Sequence, residues 1–165
     1  MKTSIKTSPQ ERKLGFRILF LAMFAIGTGQ TLFIAVLPPY ARGLGLSEVQ
    51  VGFIFSLSAL GWMVMSPFWG KKSDFIGRKS IIILGLVVYA LATILMGIEF
   101  RLNELGYINL STLFGLLILT RGCYGFLGSG AHSASMAYVA DRTTEKERSG
   151  VMAVMGSAFA ISGIV

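Results

Sequence analysis

Gly70-Lys71-Lys72-Ser73-Asp74-Phe75-Ile76-Gly77-Arg78-Lys79-Ser80 stands between two long runs that carry no charge. Four of the fifteen basic residues fall inside it, with Asp74 at its centre and glycines at 70 and 77. The flanking runs, 49–70 and 80–98, hold 22 and 19 residues. At about 1.5 Å per helical residue each reaches across a hydrocarbon core of roughly 30 Å. The stretch therefore reads as a charged hairpin between two membrane helices.

Composition agrees. Hydrophobic residues make up 53% of the 165, mean hydropathy is +0.68, and only 14% are charged, against roughly 25% in soluble domains. The formal net charge of +7 raises nucleic acid as a partner, but the basic residues collect in alternate gaps between apolar runs. A nucleic-acid surface gathers them on one solvated face among aromatics able to stack on bases, so no nucleic-acid partner is expected. Cys123 is the single cysteine, so no internal disulfide forms.

Outward from the hairpin, residues 1–15 form a polar, basic cytoplasmic tail. Residues 18–41 are 24 positions without charge, too long for a signal-peptide core, and Pro38 and Pro39 close this first helix. Ser47 with Gln50 three residues later has capping-box spacing at the start of the second. Pro67 bends the end of that helix into the charged hairpin. After Glu99, Arg101 and Glu104 come uncharged runs 105–120 and 122–140, one span interrupted by Arg121. A charged loop, 141–148, precedes 17 uncharged residues to the end. The expected helices are about 16–40, 48–70, 79–100, 110–140 and 148–165, forming a partial N-terminal transmembrane half. The segment before the first uncharged run (Arg17 included), the hairpin and the last loop carry twelve of the Lys and Arg residues, the other loops only Arg42 and Arg101. Because cytoplasmic loops are enriched in these residues, the N-terminus is expected in the cytoplasm and the protein in the plasma (inner) membrane, surrounded by lipid.

The hairpin resembles the loop between helices two and three of the major facilitator superfamily of secondary transporters, which reads Gly-x-Leu-x-Asp-Arg-x-Gly-Arg-Lys. Gly70, Asp74, Gly77, Arg78 and Lys79 match in register, while Lys72 replaces Leu and Phe75 replaces Arg. Leu117, Arg121 and Gly125 are similar to the superfamily's helix-four signature Leu-x-x-x-Arg-x-x-Gln-Gly, with Tyr124 in place of Gln. Leu46-Ser47-Glu48, Val51-Gly52 and Ser66-Pro67-Phe68 look most like the drug-efflux branch. The resemblance implies an all-α membrane protein, the N-terminal five helices of a twelve-helix fold, incomplete without a C-terminal half. It also implies export of a small-molecule substrate by alternating access of a central site. A non-transporting membrane subunit, or an uptake carrier of small metabolites that needs a separate C-terminal half, remains open. As the central site needs both walls, the chain alone is not expected to transport.

Arg121 is the strongest single residue, since a charge at mid-membrane costs about 2.5 to 3.5 kcal/mol. The resemblance gives it a place in the substrate or coupling cavity; helix packing or an interfacial role is the other reading. Gly27-x-Gly29 and Gly128-x-Gly130 recur at an offset of 101, as inverted repeats would, which places Gln30 and His132 toward the same cavity or, equally, in helix packing. Gln30, Thr28 and Thr31 either bind substrate polar groups or tie helices together. The small residues of 122–140, Gly125, Gly128 and Gly130 among them, let backbones approach closely in lipid. The resemblance brings Asp141 toward Arg78 and Asp74 as a gating cluster, whereas plain topology charges are the alternative. No carboxylate is expected inside a span, which weakens proton coupling through this half. No catalytic constellation, metal cluster or cofactor motif appears, and an enzyme is not expected.

Overall fold

The computed structural model describes residues 9–162. Positions 1–8 of the tail and 163–165 of the last helix lie outside the described residues. Six α-helices follow in order: α1 Pro9–Gly43, α2 Glu48–Ile76, α3 Arg78–Glu104, α4 Leu110–Cys123, α5 Ser129–Asp141 and α6 Glu145–Ser162. A π-helical segment, Tyr124–Gly128, joins α4 to α5 in one continuous rod. No strand occurs among the described residues. Without water to satisfy backbone groups, a spanning segment must close its hydrogen bonds internally, and helices do so. The rods α1, α2, α3 and α4–π–α5 are long and apolar enough to cross a membrane. In α6 four charged residues open an 18-residue helix.

Helix ends depart from the uncharged runs in consistent ways. α1 begins at Pro9, not near 16, because its first turns find partners. Arg12 Nη1 donates to Arg142 O at 3.4 Å and pairs with Glu147 at 3.3 Å, while Phe16 packs edge-on to Tyr138. The backbone N–H of Thr144 and the Arg12 guanidinium hold the Glu147 carboxyl below the usual carboxylate range. That pairing is present at neutral pH and is lost as pH falls through the carboxylate range. At its other end α1 runs through Pro38 and Pro39 to Gly43. Leu37 and Ala41 are buried there with Leu46, and this packing offsets the backbone donors the two prolines lack.

The charged hairpin is almost entirely helical. α2 continues to Ile76 and α3 starts at Arg78, leaving Gly77 as the whole turn at φ +103°, a conformation that only glycine adopts without strain. Ser47 caps α2 and Gln50 returns the capping-box bond to the Ser47 N–H.

The α4–π–α5 rod is the centre of the bundle, flanked by α2 and α3, and α1 packs along α6. Small residues set the spacing. A Cβ on Gly125 would lie 2.6 Å from Ser58 O, one on Gly61 2.9 Å from Gly125 C, and one on Gly85 2.6 Å from Ala131 N. These are backbone-to-backbone approaches, the contact by which helices associate in lipid. Gly130 sits under Ile81 and Trp69, whereas Gly128 faces the ring of Tyr124 on its own rod. Apolar clusters fill both ends. Leu37, Ile54, Met96, Leu113 and Leu117 lie at the Ser47 end, and Leu19, Trp69, Ile81, Val139 and Met155 at the Gly77 end.

Candidate functional site

The π segment positions the polar centre of the chain. A π turn carries one residue more than the α ladder accommodates, frees carbonyls and re-aims side chains. Two carbonyls at this turn also accept from α2: Trp69 Nε1 donates to Phe126 O at 2.7 Å, and Ser58 Oγ donates to Arg121 O at 3.0 Å. Arg121 and Tyr124, at the α4–π junction, are both buried.

Arg121 is 4% exposed. Its Nη1 and Nη2 donate to Gln30 Oε1 at 3.2 and 3.3 Å, and its guanidinium lies 3.8 Å from the Phe33 ring centroid and 5.0 Å from that of Tyr124. Nε is buried without a hydrogen-bond partner among the described residues. The cation is thus held by one amide and two aromatic faces, with no carboxylate bonded to it among the described residues. Aromatic faces attract cations electrostatically, most strongly when both are desolvated. Gly29 permits this arrangement, since a Cβ there would overlap the Tyr89 hydroxyl. A gap of about 40 Å³ lies among Gly29, Gln30, Phe33, Tyr89, Arg121 and Tyr124. Small-molecule pockets run to roughly 300–1,000 Å³, so this packing holds no drug-sized solute.

Gln30 and Arg121 meet. His132 does not join them: it stacks beside Trp62 at 5.7 Å, and Tyr124 and Tyr89 stand between it and Arg121's gap, their rings 5.6 Å apart. Thr28 and Thr31 donate to Phe24 O and Gly27 O of their own helix and tie no helices together.

At the Gly77 end Arg78 gathers the turn. Its Nε donates to Asp141 Oδ2 at 3.1 Å, Nη2 to Asp74 Oδ1, and Nη1 to Gly70 O at 3.1 Å and to Ser73 Oγ. The Arg78 side chain is 15% exposed, so one guanidinium joins the α2 end, the α3 start and the α5 end. Lys79, by contrast, is exposed.

The structure also corrects the expectation that no carboxylate lies within a span. Glu99 belongs to α3, is 6% exposed, and accepts a hydrogen bond from Thr120. Counting uncharged residues stops at Glu99, but the helix does not. Ala92, Met96 and Glu99 recur at the i, i+4, i+7 spacing of one helix face, and all three are buried. That stripe was the signal available in the sequence.

Membrane-length helices around an interior arginine that bonds no carboxylate among the described residues, closed at one end by a three-helix charge cluster, define a multi-pass membrane protein. The family model described as Major Facilitator Superfamily matches residues 19–165, and the chain belongs to that superfamily. It is 32% identical over 161 residues to "Multidrug resistance protein 2" of Bacillus subtilis (strain 168), a match covering 98% of this chain and 37% of that protein. It is 33% identical over 88 residues to "Quinolone resistance protein NorA" of Staphylococcus aureus (strain N315), covering 53% of this chain and 23% of that protein. The match therefore covers little more than a third of the length of the first relative and under a quarter of the second.

Proposed function

We propose that this chain forms one wall of a secondary transporter that exports small amphipathic molecules by alternating access, with a second half supplying the other wall. The observation that carries this reading is Arg121, a desolvated guanidinium held, among the described residues, by Gln30 Oε1 and aromatic rings. A structural arginine this deep in a span is expected to pair with a carboxylate or with backbone carbonyls. One that keeps its charge for Gln30 and ring faces is placed to meet an anionic or polar group of a partner wall or substrate. The small gap beside it supports a site completed by another half, and the names of the two relatives support export of drug-like compounds. Arg121→Gln should abolish dye export by cells carrying the complete transporter, with membrane abundance unchanged, and Arg121→Lys should restore part of it. Full export by Arg121→Gln would sink the reading.

The orientation proposed from the basic residues, N-terminus and Gly77 turn in the cytoplasm, has a separate test. Ser73 is 1% exposed and makes a poor reporter, whereas Phe75 is 90% exposed. With Cys123 replaced by serine, cysteines at Arg42 and Tyr107 should react with an impermeant thiol reagent in intact cells. A cysteine at Phe75 should react only after permeabilisation. Labelling of Phe75→Cys from outside would reverse the topology.

A further inference from the structure

Glu99 lies in the seam between α3 and α4, five residues before α3 ends. Thr120 donates to its Oε1, and Oε2 is buried without a hydrogen-bond partner among the described residues. Its α3 neighbours Met96 and Phe100 belong to the apolar cluster that includes Leu113 and Leu117 of α4. Among the described residues no charged group of the surrounding elements bonds Glu99; Tyr89 of α3 lines the gap beside Arg121, and Cys123 of α4 is an exposed thiol. On α4, Arg121 directs its fork at Gln30. Arg101 of α3 and Tyr40 of α1 both bond Glu104, and Arg42 of α1 bonds Glu48 of α2. Tyr124 of the π segment and His132 of α5 lie against Trp62. Arg78, Asp74 and Asp141 meet at the opposite end of the bundle.

We propose that Glu99 is a proton-binding site, loaded while the α3–α4 seam is packed and unloaded when water enters it. A carboxylate taken out of water without a counter-ion is strongly disfavoured, and such a group neutralises by taking up a proton. The proton rides on the carboxyl, whose Oε1 keeps the Thr120 bond in either charge state. On release the carboxyl O–H bond breaks, its electron pair stays on Glu99, and the proton passes to a water as hydronium. Uptake is the reverse. A ligand shifts a two-state equilibrium by its differential affinity for the two states, and a proton held only in the dry seam has that property. Proton binding thereby biases the packing of α3 on α4, one residue from Arg121. The link to transport rests on the reading of the chain as part of a carrier; proton binding itself does not.

Infrared difference spectroscopy of the chain in lipid nanodiscs separates the two. At neutral pH the wild type should show a protonated carboxylic C=O stretch that is absent in Glu99→Gln, retained in Glu104→Gln, and shifted in frequency in Thr120→Val. The same band in wild type and Glu99→Gln, or none in wild type, overturns the proton site. In the complete transporter, Glu99→Gln should lose flux driven by a pH gradient while keeping substrate-for-substrate exchange. Wild-type dependence on the gradient in that variant would overturn the coupling role. If the wild type moves no substrate in either mode, the carrier reading fails, and the infrared band still decides whether Glu99 binds a proton.

Discussion

Valine at Gly125 should cost about 3 kcal/mol of stability, the upper end of the range for overpacking a close-packed interior. The cost is high because the atoms in the way belong to backbone. A Cβ would come 2.6 Å from Ser58 O and 2.9 Å from Ser58 Cα, so relief requires α2 to move as a body. Movement has further consequences, since Ser58 Oγ and Trp69 Nε1 of α2 supply the hydrogen bonds to Arg121 O and Phe126 O. Separating the rods breaks both of these bonds, which adds to the loss. Gly97→Val is the matched control: nothing lies within 4 Å of a Cβ there. Unfolding in detergent, followed by tryptophan fluorescence, should show a large shift for Gly125→Val and little for Gly97→Val. Similar shifts would mean that the α2–π contact does not set the bundle's stability.

The second large effect is expected at Arg78. Alanine there removes the group that joins Asp74, Ser73, Gly70 O and Asp141, on a side chain only 15% exposed. Fully exposed ion pairs contribute about 0–1 kcal/mol, and breaking fully buried ones costs about 3–5 kcal/mol; this half-shielded cluster falls between. Even about 1.4 kcal/mol of bias between two conformations changes their ratio tenfold. In the complete transporter Arg78→Ala and Asp74→Asn should therefore suppress flux at least tenfold with insertion intact. Lys71→Ala, on an exposed residue, should do little. Equal and mild effects from all three would leave these residues as topology charges alone.

The helical membrane architecture was legible because lipid leaves the chain few choices: apolar runs of spanning length, separated by charge, must be helices. Arg121 stood out for the same reason, as a charge where charges are expensive. The places that escaped the sequence are those where tertiary contact decides. Pro38 and Pro39 do not end α1, because buried Leu37 and Ala41 hold its last turns in place. Pro9 to Gly15 join the helix because Arg12 reaches a loop 130 residues away. The π turn follows from side chains on α2 that satisfy carbonyls on another rod, a pairing with no local signature. Glu99 was hidden by treating a charge as the end of a span, although its spacing from Ala92 and Met96 put it on the buried face.

The central proposal is that Gln30 and Arg121 line a site opened to one side of the membrane at a time. In the complete transporter with Cys123 replaced by serine, Gln30→Cys should react with impermeant thiol reagents added from either side. Each reaction should be slowed by substrate, and trapping the inward-open state should abolish labelling from outside. Access from one side only, unaffected by substrate or by trapping, would contradict it.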